Sequence, residues 1–217
     1  MNNITLIREA ADHLQAAEQD HRISNSLSVI SGLVRLKATH AKVGDVRQIL
    51  LDVAGRIETV ARLHRLLAAD MTGVPLRQFL QDVCEAMKSI AAEDNRFKMS
   101  IECPGELTVP AEKALRIGLL TTELFSNSIK YAHPTGVPTV IHVSCRNEGD
   151  GGLRFSFEDD GIGFPEDFDP TSHHSLGMKI LESLCAQLHG QSEWQDLGVG
   201  LRFVCRFPKG VSTADNT

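Results

Sequence analysis

The sequence predicts an α+β protein in two parts, a helical hairpin followed by an α/β sandwich with a mixed sheet. Three observations lead there. From about Ile4 to Ala69 apolar residues recur at steps of three and four with few interruptions. The turn-forming stretch Met71-Thr72-Gly73-Val74-Pro75 ends that pattern. Beyond it, helical stretches interleave with runs that alternate apolar and polar residues at period two. The expected domains are 1–70 and 71–210, with a polar tail at 211–217.

In the first part, Ile23, Leu27, Ile30, Leu33 and Val34 form one helical stripe. Val46, Ile49, Leu50, Val53, Ile57, Val60, Leu63 and Leu67 form a second. Thr39 to Asp45 separates them, with Gly44 as the break and Asp45 as the expected N-cap of the second helix. Two long amphipathic helices with a short connection make an antiparallel hairpin. Two helices alone cannot bury both stripes, so a four-helix bundle formed by a homodimer is expected, with docking on the second part as the other solution.

In the second part, Pro75 to Ala92 reads as helix, followed by short β-type runs at Phe97 to Ile101 and Glu106 to Val109. Ala111 to Ala132 is a strong helix opened by Pro110. Thr139 to Arg146 and Leu153 to Glu158 alternate, and Gly149-Asp150-Gly151-Gly152 between them signals a hairpin turn. A Gly-rich loop, a helix from Ser175 to Leu188 and two strands near Gln191 to Gln195 and Gly200 to Phe207 complete the chain.

Composition narrows the function. Lys and Arg number 22 against 28 Asp and Glu, a formal charge of -6 with no basic cluster, which argues against nucleic acid as a partner. Cys84, Cys103, Cys145, Cys185 and Cys205 are scattered without CxxC spacing, as expected of reduced core thiols in a cytoplasmic protein. No apolar run reaches the roughly 20 residues of a membrane span, and no secretion signal opens the sequence.

Four constellations could carry chemistry. In Asp20-His21-Arg22-Ile23-Ser24-Asn25, residues His21, Asn25 and Ser28 share one polar helical stripe. A histidine there can be a nucleophile, with Asp20 holding one ring nitrogen; among nine histidines, the plain reading is a surface residue. Glu123, Asn127 and Lys130 lie at i, i+4 and i+7 of the Ala111 to Ala132 helix. They offer a carboxylate, a carboxamide and an ammonium to a phosphate with its hard cation, or else form a solvated helix face.

Asp159-Asp160-Gly161-Ile162-Gly163 follows a predicted strand, where glycines permit close backbone approach and an acid can accept from an exocyclic amine. A turn is the simpler alternative, and a calcium loop lacks its further acids. Ser175-Leu176-Gly177 opens a helix, an anion-binding arrangement unless Ser175 is only an N-cap. His173-His174 is set aside as a metal pair, Trp194 reads as a packing residue, and His13, His40, His64 and His133 read as surface residues.

Taken in order, these motifs resemble bacterial sensor histidine kinases, in particular the subfamily whose phosphoacceptor segment reads HRxxNxLxxIxxLxxLQ. Here that segment runs from His21-Arg22-Ile23-Ser24-Asn25 to Leu33-Val34-Arg35-Leu36, with Ser26 where the subfamily often has a second Asn. The second part is similar to the ATP-binding domain shared by gyrase, Hsp90, histidine kinases and MutL. The resemblance implies that His21 is phosphorylated and that ATP and Mg²⁺ are the cofactors. Asn127 would hold Mg²⁺, Lys130 would lie near the phosphates, and Asp159 would bind the adenine amine. Gly161 and Gly163 would shape the pocket, Ser175 and Gly177 would form the entrance under the phosphates, and Phe164 to His174 would be the lid.

The implied reaction transfers the γ-phosphoryl to His21, with Glu123 or Asp20 as the proton acceptor, and then to an aspartate on a response regulator receiver domain. A homodimer and a separate sensor protein are the further implied partners. The alternative is a non-catalytic phosphotransfer adaptor that keeps the second domain as scaffold. A serine kinase or anti-sigma factor of the same ATP fold would leave His21 without a role.

Overall fold

The computed structural model describes residues 23–41, 43–67, 73–90, 97–133, 137–149, 151–165, 168, 170 and 176–208. The chain separates into two compact units, divided between Thr72 and Gly73.

In the first unit, α1 (23–40) and α2 (Gly44–Leu67) form the hairpin. The Val43 carbonyl accepts the first helical bond of α2, from the Arg47 N–H at 3.1 Å. Val43 therefore holds the capping position and Asp45 lies inside the first turn, correcting the expectation that Asp45 caps the helix.

The hairpin closes on small residues. Ser24, Ser31 and Ala38 recur every seven residues on α1, Ala54 and Ala61 do so on α2, and all five are buried. The Ser31 hydroxyl donates to the Ala54 carbonyl at 2.9 Å, tying the two backbones together. Small side chains let helices approach closely, and the large apolar residues beside them are then carried outward. Of the two apolar stripes only Leu63 and Leu67 are buried, while Leu33 and Ile49 are 58% and 59% exposed. Arg35 and Glu58 add an ion pair at 2.7 Å on the outer surface.

The second unit contains β1 (Val74–Pro75), α3 (Leu76–Ile90), β2 (Phe97–Glu102), β3 (Thr108–Val109), α4 (Ala111–Tyr131) and β4 (Thr139–Asn147). It continues with β5 (Gly152–Asp159), α5 (Leu176–Gln187), β6 (Gln191–Asp196) and β7 (Leu201–Pro208). Five strands make one mixed sheet in the order β2-β4-β5-β7-β6, in which only β2 and β4 run parallel.

Two short runs behave differently from the sequence expectation. Thr108–Val109 does not join the main sheet but pairs with Val74–Pro75 in a separate two-stranded ribbon. The chain turns at Pro104 and Gly105, where the Leu107 N–H bonds back to the Pro104 carbonyl. Pro75 belongs to that ribbon, so α3 begins one residue later, at Leu76.

Alternation decides the two faces of the main sheet. Ile141, Val143 and Cys145 of β4, Phe155 and Phe157 of β5, and Phe203 and Cys205 of β7 are buried on the face covered by α3, α4 and α5. The opposite face carries ion pairs, including Arg146–Glu102 at 2.9 Å and Arg202–Glu158 at 2.7 Å. All five cysteines are buried free thiols. Cys145 and Cys205 each hydrogen-bond to a second thiol, Cys103 and Cys185, and this contact together with burial holds them protonated.

The β6–β7 turn shows what glycine contributes. Gly198 and Gly200 both have positive φ, at 76° and 86°. A Cβ on Gly198 would meet open space, whereas one on Gly200 would stand 1.8 Å from the Asp159 carbonyl oxygen. Gly198→Ala should therefore cost only the left-handed backbone strain of about 1–2 kcal/mol. Gly200→Ala should cost about 3 kcal/mol or more, because a backbone must also move. Denaturant unfolding of the two variants measures the difference.

The hairpin seam yields a second contrast. The Ser24 hydroxyl is buried and has no hydrogen-bond partner among the described residues, unlike that of Ser31. Ser24→Ala should stabilise the hairpin by about 1 kcal/mol, and Ser31→Ala should destabilise it by a similar amount. Helical ellipticity followed through denaturation tests both, and equal effects of the same sign would contradict the seam.

Candidate functional site

The site is built on the second half of α4. Pro110 precedes the helix with φ -56° and ψ 147°, and its carbonyl accepts from the Lys113 and Ala114 N–H groups. Ala114, Ile117, Leu120 and Leu124 are buried along the helix. In the last turns polar residues share that burial. Glu123 is only 6% exposed, Ser128 is buried and Asn127 is half-buried. Polar groups held at such depth need defined partners.

One partner is the loop after β5. The Ser128 hydroxyl donates to Asp159 Oδ2 at 2.6 Å, and the Gly161 N–H donates to Asp159 Oδ1 at 3.0 Å. The Asp159 carboxylate is thereby oriented through both oxygens. Ala132, just beyond α4, accepts from the Ile162 N–H at 2.9 Å. A Cβ on Gly161 would lie 2.6 Å from the Ala132 Cα, so only glycine permits this approach. Gly200 presses on the same loop from the other side, against the backbone of Asp159 and Asp160.

Asp160 closes the loop onto the sheet. Its Oδ1 accepts from the Val140 N–H at 2.8 Å and lies 2.9 Å from His133 Nε2. Burial pushes the Asp160 carboxyl up, but the bonds from His133 and Val140 outweigh it and hold it below the ordinary value. His133 is not the surface residue the sequence suggested, since its side chain is 17% exposed and paired with Asp160.

The third component is the start of α5. A Cβ on Gly177 would lie 2.6 Å from Glu123 Oε1 and 3.7 Å from Asn127 Oδ1, so the α5 backbone passes directly over these two oxygens. Oxygen donors beside helix N–H groups suit a hard cation with its phosphates.

Glu123, Asn127 and Gly177 are thus brought together, and Asp159 and Gly161 join them through Ser128 and Ala132. Lys130 is exposed, one turn beyond Asn127 on the same helix. Gly163 has a positive φ of 79°, with open space where a Cβ would stand. Asp20, His21 and Ser175 lie outside the described residues, as do His173 and His174 of the expected lid. From that lid, Phe164 stacks on Phe168 and meets Trp194 edge-on at 5.1 Å, and Trp194 packs in turn on Phe203.

Sequence reasoning passed over Ser128, Ala132, His133 and Asp160. Ser128 follows Asn127 directly, and nothing in the helical spacing marks it as facing Asp159. The doubled acid in Asp159-Asp160 was the one visible signal of a second anchored carboxylate.

Two family models match successive segments. One described as "Histidine kinase" covers residues 18–91. The other, "Histidine kinase-, DNA gyrase B-, and HSP90-like ATPase", covers residues 112–211. Blue-light-activated histidine kinase 2 of Erythrobacter litoralis is 30% identical over 177 residues, 78% of this chain and 50% of its own. Sensor histidine kinase PdtaS of Mycobacterium tuberculosis is 27% identical over 198 residues, 89% of this chain and 39% of its own. The chain thus spans half or less of the length of these curated relatives.

Among solved structures, the histidine kinase domain of an Erythrobacter litoralis blue-light-activated kinase superposes with a TM-score of 0.64. It is 24% identical, and the match covers 85% of this chain and 96% of that one, which establishes a shared fold. With an α4 site shaped around Glu123, Asn127 and Asp159, and with two family models in this order, the chain belongs to the histidine kinase family.

Proposed function

We propose that this chain is the core of a two-component signalling kinase, which phosphorylates its own His21 from Mg-ATP and passes the phosphoryl group to an aspartate of a response regulator. The observation that carries this reading is the convergence of Glu123 and Asn127 with Gly177 at one end of α4 and the double anchoring of Asp159 beside them.

Asp159 accepts a hydrogen bond from the adenine amine, its carboxylate already oriented by Ser128 and Gly161. Gly161 and Gly163 keep the wall behind the base thin. Asn127 would hold Mg²⁺ through its carboxamide oxygen, and that ion supplies charge neutralisation on the phosphates when bound. Lys130 reaches the phosphate oxygens, and the N–H groups at the start of α5, around Ser175 and Gly177, receive the remaining charge.

A neutral imidazole nitrogen of His21 attacks the γ-phosphorus. As that N–P bond forms, the bond to the bridging oxygen breaks, and ADP leaves with its electron pair. The proton on the other ring nitrogen passes to a carboxylate, either Asp20 or Glu123. Transfer onward to a receiver-domain aspartate regenerates the free imidazole. The exposed Ile30, Leu33, Val46 and Ile49 support a homodimer through a four-helix bundle, since exposed large apolar residues on both helices call for a covering partner.

The direct test is incubation of the purified chain with γ-labelled ATP and Mg²⁺. Label that is acid-labile and alkali-stable should appear, vanish in His21→Ala, and leave ATP affinity in that variant unchanged. Acid-labile label persisting in His21→Ala would refute the site of phosphorylation. ATP affinity lost together with label would refute the separation of the two roles.

A second variant addresses the metal. Asn127→Ala should lower Mg²⁺-dependent label incorporation by about 100-fold or more while the domain stays folded. Full activity in that variant would remove Asn127 from the site.

A further inference from the structure

We infer that His133 is a positioning residue for recognition of the adenine base, acting through Asp160 on the carboxylate of Asp159. The inference rests on the proposed role of Asp159 and adds to it a residue outside the recurring motifs.

The geometry is a clamp with two jaws. On the sheet side, Asp160 exchanges two bonds with Val140, its N–H donating to the Val140 carbonyl at 3.2 Å and its Oδ1 accepting from the Val140 N–H at 2.8 Å. On the helix side, the same Oδ1 meets His133 Nε2 at 2.9 Å. One carboxylate oxygen therefore joins the end of α4 to the start of β4, directly beside the residue proposed to read the base. The Ala132 carbonyl adds a parallel tie to Ile162, on the far side of Gly161.

Asp159 needs this clamp because its own partners come from different elements. Ser128 Oγ belongs to α4, whereas the Gly161 N–H belongs to the loop. If the loop shifts relative to α4, the two donors pull the carboxylate apart. His133 fixes that relation from within the same two elements, since it follows α4 directly and bonds to the residue after Asp159. A neutral imidazole with its proton on Nε2 makes this bond, and a protonated one makes it more strongly, so the clamp holds in either state.

Base selectivity reads the clamp out. A well-placed Asp159 accepts from the amine of adenine but faces the keto oxygen of guanine, which it repels. Loosening the loop should weaken ATP binding more than GTP binding. Loss of one charge-assisted hydrogen bond sets the scale, roughly tenfold in affinity for ATP.

Equilibrium titration of the full chain with ATP and with GTP tests this in wild type, His133→Ala and His133→Gln, alongside thermal unfolding. Expected are a roughly tenfold weaker affinity for ATP in His133→Ala, a narrowed ATP-over-GTP ratio, and recovery of both in His133→Gln, whose amide can donate to Asp160. Unchanged ATP affinity in His133→Ala overturns the inference. So does a fall in ATP and GTP affinity by the same factor, in step with a lowered unfolding temperature, because that is a purely structural effect. A wild-type chain that does not prefer ATP to GTP overturns the adenine role of Asp159 itself, and the inference falls with it.

Discussion

Ala132 leaves no room for a side chain on Gly161, and the carbonyl of Asp159 leaves none on Gly200. The first close approach sets the distance between the end of α4 and the loop after β5, the second holds that loop against the β6–β7 turn, and the rest of the nucleotide-type site depends on both. Ser128 reaches Asp159 only because the helix lies so near the loop, and the orientation of the carboxylate follows from that bond. The helix in turn holds its place because Ile117, Leu120 and Leu124 are buried with the core. Packing thus comes first, and the polar contacts are its consequence.

The hairpin follows a different economy. Its two helices meet through serine and alanine, and large apolar residues on both remain exposed. Leu33 and Ile49 are among them. The proposed four-helix bundle would cover these residues.

Much of this architecture was legible in the sequence. The helix opened by Pro110 and the hairpin turn at Gly149 to Gly152 carry local signals that tertiary structure had no reason to override. What escaped depended on distance in sequence. The Ser128–Asp159 bond spans 31 positions and the His133–Asp160 bond 27, and no periodicity encodes such pairs. Within the hairpin the stripe of large apolar residues was visible, but the seam of small ones beside it was not. Burial of an alanine leaves almost no trace in a hydropathy pattern, although geometrically it brings the helices together. Asp45 misled for a different reason: it looks like a cap, yet Val43 caps the helix two residues sooner and Gly44 is its first residue.

The small-residue seam separates two properties that most helical assemblies entangle. Small residues close the hairpin on its inner side, and large exposed apolar residues lie on its outer side. Substitutions at the exposed Leu33 or Ile49 alter that outer surface while the Ser31–Ala54 bond stays intact. The outer face can therefore change in sequence without disturbing what closes the hairpin.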